Sequence, residues 1–152
     1  MIGRRTILTA LPVGLPMAVS IARAQSGQPA PSRLALKGYD PVAYFTDGKA
    51  VPGDPQYETA YDGARYRFAS VQHLELFKAD PDRYAPQFAG SCAAGIAMGA
   101  KFEAEPESWM IVDGKLFVFS SAKSRDAMQA DAAGMIAKGQ ANWKTLANAP
   151  YQ

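Results

Sequence analysis

His73 is the single histidine of this chain and Cys92 the single cysteine. Both lie in one stretch, FASVQHLELFKADPDRYAPQFAGSC, with a helix and a loop expected between them. An imidazole and a thiolate together suit Cu(I), Cu(II) or Zn(II). Met98 follows Cys92 in the same small-residue segment and offers a thioether. His73, Cys92 and Met98 are therefore the candidate ligand set for a soft metal ion, copper first, with Met110 as a further soft contact. The same residues support a second chemistry. A cysteine at a helix entry has its thiolate stabilised by free backbone amides, and a nearby imidazolium adds to that. Gly90-Ser91-Cys92 is such an entry. A lone thiol cannot run a two-cysteine cycle, but it can react with peroxide or form a mixed disulfide.

Each residue also has a plain role. A histidine at the edge of an apolar helix face packs and hydrogen bonds there. A cysteine among alanines is a small buried hydrophobe, and methionines fill core gaps. A non-catalytic interaction module is thus a third reading. Enzyme signals are weak: there is no phosphate-binding glycine loop and no dinucleotide fingerprint, and GSCAAG has the wrong spacing for a nucleophile elbow. Glu103 and Glu105 sit in a polar loop and are expected to be solvated.

The chain of 152 residues carries a net charge of +2, but the N-terminus distorts that figure. Arg4, Arg5 and Arg23 precede Gln25 and no acid does, so the remainder holds 13 basic against 14 acidic side chains. A near-neutral body lacks the concentrated basic face that nucleic-acid binding requires. MIGRR, the apolar run TILTALPVGLPMAVSIA and Ala22-Arg23-Ala24 follow the order of a cleaved export signal. The apolar run is short and broken by Pro12, Gly14 and Pro16, which argues against a permanent membrane anchor. Arg4-Arg5 also fits a twin-arginine signal. Residues 1–24 are thus expected to be a leader, 25–33 a polar arm and 34–152 one domain, periplasmic after cleavage. That space is oxidising. One cysteine closes no internal disulfide, so Cys92 is buried, a ligand, a reactive thiol, or half of a bridge in a homodimer.

The elements that would position these residues are short. Asp40-Pro41 has the cap-plus-proline order that opens a helical turn through Phe45. Tyr57–Tyr61 and Ala64–Phe68 flank Asp62-Gly63, a hairpin signal, and Trp109–Val112 and Leu116–Phe119 flank Asp113-Gly114-Lys115. The second hairpin is apolar on both faces and is expected in the middle of a small sheet. Ser70 caps a helix to about Ala79, with Val71, Leu74 and Phe77 on its apolar side. Asp80-Pro81 opens a turn to Tyr84. Cys92–Met98 forms a short helix, and Asp131–Leu146 a longer one. Tyr39, Tyr44, Tyr66 and Tyr84 are expected to form a hydroxyl-tipped core. No internal repeat is evident. Hairpins mixed with helices indicate an α+β domain, a small antiparallel sheet with packed helices.

The order of these pieces resembles the YHS domain family. GYDPVAYF (38–45), the run from Tyr66 to Gly99 and WMIVDGKLFVF (109–119) carry the resemblance, and it is similar in particular to the exported branch of YHS domain-containing (seleno)proteins. The resemblance implies metal-associated chemistry, but three positions depart from it. Where the metal-associated pattern has D-P-V-C, this chain has Ala43 after Val42. Where the pattern has F-C-S-x-x-C, it has Ala69 and His73. A tetrahedral thiolate zinc site needs about four ligands and cannot be assembled in that manner here. His73 at a cysteine position implies ligand replacement.

Overall fold

A computed structural model describes residues 33–152. The leader at 1–24 and all of the polar arm but Arg33 lie outside the described residues. Among those described, no helix is long and apolar enough to cross a membrane.

The described residues fold as an α+β domain with six helices and two hairpins. A 3-10 turn, Ala35–Gly38, leads into α1 (Ala43–Thr46). The strands β1 (Asp54–Tyr61) and β2 (Ala64–Phe68) then pair, followed by α2 (Val71–Ala79) and α3 (Pro81–Tyr84). A second 3-10 turn, Gln87–Gly90, leads into α4 (Ala93–Ala97), then β3 (Glu105–Val112), β4 (Lys115–Phe119), α5 (Ala122–Ala130) and α6 (Ala132–Leu146). Each hairpin is a separate two-stranded sheet. The β3–β4 hairpin is therefore not the middle of a larger sheet. Two clusters that flank β4 bury its apolar faces instead: Leu116 and Val118 enter one, Phe117 and Phe119 the other. Alternation along a strand dictates that division.

Contrary to the sequence reading, the architecture repeats. Asp54 pairs with Phe68 and Tyr61 with Ala64; Glu105 pairs with Phe119 and Val112 with Lys115, each 51 positions on. A register shift follows Asp54 and another follows Glu105. Both hairpins turn on an Asp-Gly pair with two positive φ angles (Asp62 47°, Gly63 76°; Asp113 50°, Gly114 73°), the mirror-type turn that matches strand twist. Ser70 accepts a bond from the backbone N–H of His73, and Ser121 does the same for Ser124. Few side chains coincide between the units, so the repetition resides in turns, caps and register rather than in composition. The second unit also extends its last helix to 15 residues, where α3 has four.

The first core gathers Val42, Tyr44, Tyr66, Phe68, Phe77 and Tyr84, so three of the four tyrosines expected there are buried. Phe77 is edge-on to Tyr61 at 5.7 Å and lies 5.2 and 5.1 Å from Tyr66 and Phe68. The helix from Ser70 thus packs on the first hairpin, not on the second. Val71, expected on its apolar side, is exposed. Glu103 and Glu105 are not simply solvated: they pair with Arg33 and Lys37.

Candidate functional site

The site grows from the first helix cap. Asp40 is completely buried. Its Oδ1 accepts from the backbone N–H groups of Val42 (2.8 Å) and Ala43 (3.4 Å), the cap bonds that its sequence context demanded. Its Oδ2 accepts from the backbone N–H of Ala69 at 2.8 Å and from His73 Nδ1 at 2.6 Å. A carboxylate offers about four lone-pair sites, and all four are taken. Three amide donors stabilise its charge in a place where an unpaired carboxylate would be costly.

That arrangement fixes the imidazole. A carboxylate can only accept, so Nδ1 carries a proton, and in the neutral ring the lone pair is then on Nε2. Nε2 faces Thr46 Oγ1 at 3.3 Å. The same hydroxyl lies 3.2 Å from Val42 O and 2.9 Å from Asp47 Oδ1. One hydroxyl proton cannot serve three acceptors, so the Nε2 lone pair is shared at best. The His73 side chain is 15% exposed, enough for this edge to meet solvent.

Ala43, Ala69 and His73 are the three positions where the metal-associated pattern places cysteine. All three converge on the Asp40 carboxylate, two through backbone amides and one through its ring. A family model of the YHS domain matches residues 42–88. The likeness to the YHS domain covers about a third of the chain. The match takes in α1 through α3 and stops at the second 3-10 turn, so the second unit lies beyond it. No curated protein and no solved structure matches the chain.

Within the YHS segment the residues do not fit a thiolate cage. They do fit a single imidazole ligand. A ligating histidine ordinarily donates its other ring N–H to a carboxylate, which fixes the tautomer and raises the basicity of the ligand nitrogen. Asp40 does this for His73. Thr46 Oγ1 supplies an oxygen beside Nε2, and the Asp47 carboxylate is hydrogen bonded to that hydroxyl. Among the described residues no group of three or more His, Cys, Asp and Glu side chains is gathered for a metal ion.

The other two sequence candidates lie elsewhere. Cys92 sits at the N-cap of α4, 1% exposed, in the core of Phe88, Ile96, Phe117, Phe119 and Met128. It shares neither a hydrogen bond nor a core cluster with His73. Met98 ends α4 and is 80% exposed. Met110 packs against the same second core as Cys92. Sequence reasoning missed the second role of Asp40. The signal was available, because an aspartate three positions before one vacated cysteine position is a natural partner for a histidine at another.

Proposed function

We propose that this chain is an exported YHS-type module that binds a copper ion as cargo at the solvent edge of His73. The observation that supports this most is the 2.6 Å bond between His73 Nδ1 and the buried Asp40, which leaves an oriented Nε2 lone pair without a dedicated donor. One imidazole with a single hydroxyl beside it leaves the coordination sphere open. An open sphere suits an ion that is passed on or sensed, whereas structural sites are closed. The proposal leaves Cys92 and Met98 outside that sphere, since Cys92 lies in the second core and Met98 at the end of α4.

Titration of the mature chain with Cu(I) and with Cu(II) tests this. His73→Gln should lose the site and Cys92→Ser should keep it. The reverse order would return the ligand role to Cys92. The export part of the proposal has its own test, an intact mass that begins at Gln25.

One observation favours the interaction-module reading as a second function. On α2, Val71 and Leu76 are 45% and 42% exposed, and with Ala79 they line a shallow apolar groove. The matching positions on α5 are Ala122, Ala127 and Ala130. The larger apolar side chains therefore belong to the YHS unit alone. The thiol-redox reading is the least supported, because a sulfur packed among aromatic rings is poorly accessible to an oxidant.

A further inference from the structure

Two adjoining cavities of about 290 and 330 Å³ run between the units, with Asp62, Ala89 and Trp143 as their shared wall. One side is the β1–β2 turn of the first unit. The other is α6 and the tail after it. The chemistry of the larger cavity is set by Lys101, only 6% exposed. Its Nζ donates to Ala147 O at 2.8 Å and to Ala149 O at 2.9 Å, which leaves one of three N–H groups unused. The ammonium lies 4.6 Å from the Tyr151 ring centroid and 5.3 Å from that of Trp143. Among the described residues no carboxylate forms an ion pair with it.

A second cation lines the same cavity. Arg33 stands 4.6 Å from the Tyr151 centroid. It gives three of its five N–H groups to Ala89 O and to the Glu103 carboxylate and hydrogen bonds to Tyr151 as well, so one remains. Tyr151 is itself held through its hydroxyl by the buried Ser91 at 2.8 Å. Two cations thus face one cavity, and the one acid paired to them, Glu103, is already engaged. Burial and the neighbouring Arg33 charge hold the Lys101 ammonium below the usual lysine range, the mark of a positive site short of anions. The remaining acid of the lining, Asp62, is exposed and stands in the wall shared with the smaller cavity.

We propose that this cleft binds a small organic carboxylate. The carboxylate takes the free N–H groups of Lys101 and Arg33, and an apolar body lies against Trp143 in the shared wall. Pockets between packed units with few convergent polar groups are where small ligands ordinarily sit. This site is independent of the copper reading at His73.

The test uses the whole mature chain and three probes of one shape: phenylacetate, 2-phenylethanol and phenethylamine. Trp143 fluorescence and amide chemical shifts report binding. Phenylacetate should bind at least tenfold more tightly than either of the others and shift the Lys101, Trp143 and Tyr151 signals together. Arg33→Gln and Lys101→Met, each checked for an unchanged fold by its amide spectrum, should each weaken phenylacetate about tenfold and leave 2-phenylethanol unaffected. If Lys101→Met loosens the tail, Arg33→Gln alone decides the matter. Equal binding of phenylacetate and 2-phenylethanol, or phenylacetate binding unchanged in Arg33→Gln, overturns the proposal.

Discussion

Cys92 occupies in the second unit the place that Asp40 occupies in the first. Both stand two residues after the glycine that ends a left-handed turn (Gly38, Gly90), and both enter a short helix. The backbone N–H of Asp40 reaches Val51 O at 2.8 Å, and that of Cys92 reaches Phe102 O at 2.9 Å. His73 corresponds in the same way to Ser124. The lone imidazole and the lone thiol are therefore members of two different copies of one local design. The first copy carries a polar centre and the second a packed apolar one.

This equivalence predicts an inert thiol. Native protein should react with alkylating reagents only as fast as the second core opens, because Cys92 must be exposed first. Denaturant should raise the rate in step with unfolding. Cys92→Ala should cost about 1 kcal/mol, the scale of a small buried truncation. Rapid native alkylation that rises with pH would instead show an accessible, activated thiol.

Asp40 should be the most sensitive polar residue in the fold. Replacing it by alanine removes the acceptor from three backbone donors and one imidazole at once. A loss of about 3–5 kcal/mol is expected, as when one partner of a buried pair is deleted. Asp40→Asn should lose less, since the amide oxygen still accepts. Urea melts of the two variants measure the difference. Equal and small losses would mean that solvent takes over these bonds.

Phe77 is buried and Val71 exposed on α2, and the two should separate cleanly. Phe77→Ala should cost about 3–5 kcal/mol, because the ring is fully buried among Tyr61, Tyr66 and Phe68. Val71→Ala should fall within about 0.5 kcal/mol, as for an ordinary surface position. Comparable losses would place the apolar groove of α2 inside the core.

Stability should fall in alkali. Burial raises the Tyr44 and Tyr66 phenols well above their usual value of 10.0, and burial also raises Tyr151. A hydrogen bond to Asp82 pushes Tyr61 up to about 12. For an acid whose folded value is raised, the unfolded chain ionises first. The stabilisation is then complete below pH 10 and is lost progressively as pH rises from there toward the raised folded values. Lys101 acts in the opposite sense, since a depressed lysine costs stability while charged and relieves that cost as pH climbs. The tyrosines outnumber it. Tyrosinate absorbance should therefore appear in two stages, the second coincident with loss of ellipticity. A single smooth titration of all seven tyrosines with the fold intact would contradict this.

Much of the scaffold was legible because its signals are local. Ser70, the Asp-Gly turns and the Asp40-Pro41 entry each specify their own backbone, and the structure has every one of them. The packing partners were not legible, because they depend on contacts distant in sequence. An apolar β3–β4 hairpin is equally consistent with a central sheet position and with two flanking cores, and Leu116 to Phe119 were consistent with both. The repeat was hidden for a related reason. Phe77 and Met128 fill equivalent buried positions with different side chains, so only turns and caps betray the correspondence. The site itself was half visible. His73 stood out as a lone imidazole at a vacated cysteine position, while Asp40 was concealed by its success as a helix cap, which accounts for only one of its two oxygens.

The most direct test of the central claim follows the His73 ring, the only imidazole in the chain. Its NMR signals can be monitored during titration of the mature protein with Cu(I), with Asp40→Asn and Cys92→Ser measured alongside. The account predicts saturable shifts of the His73 ring with Nε2 as the ligating atom. Affinity should fall about 10- to 100-fold in Asp40→Asn, the cost of losing a carboxylate that orients a metal-bound histidine, and should not change in Cys92→Ser. A His73 signal that stays unmoved while Cu(I) binds, or binding that is lost only with Cys92, would contradict it.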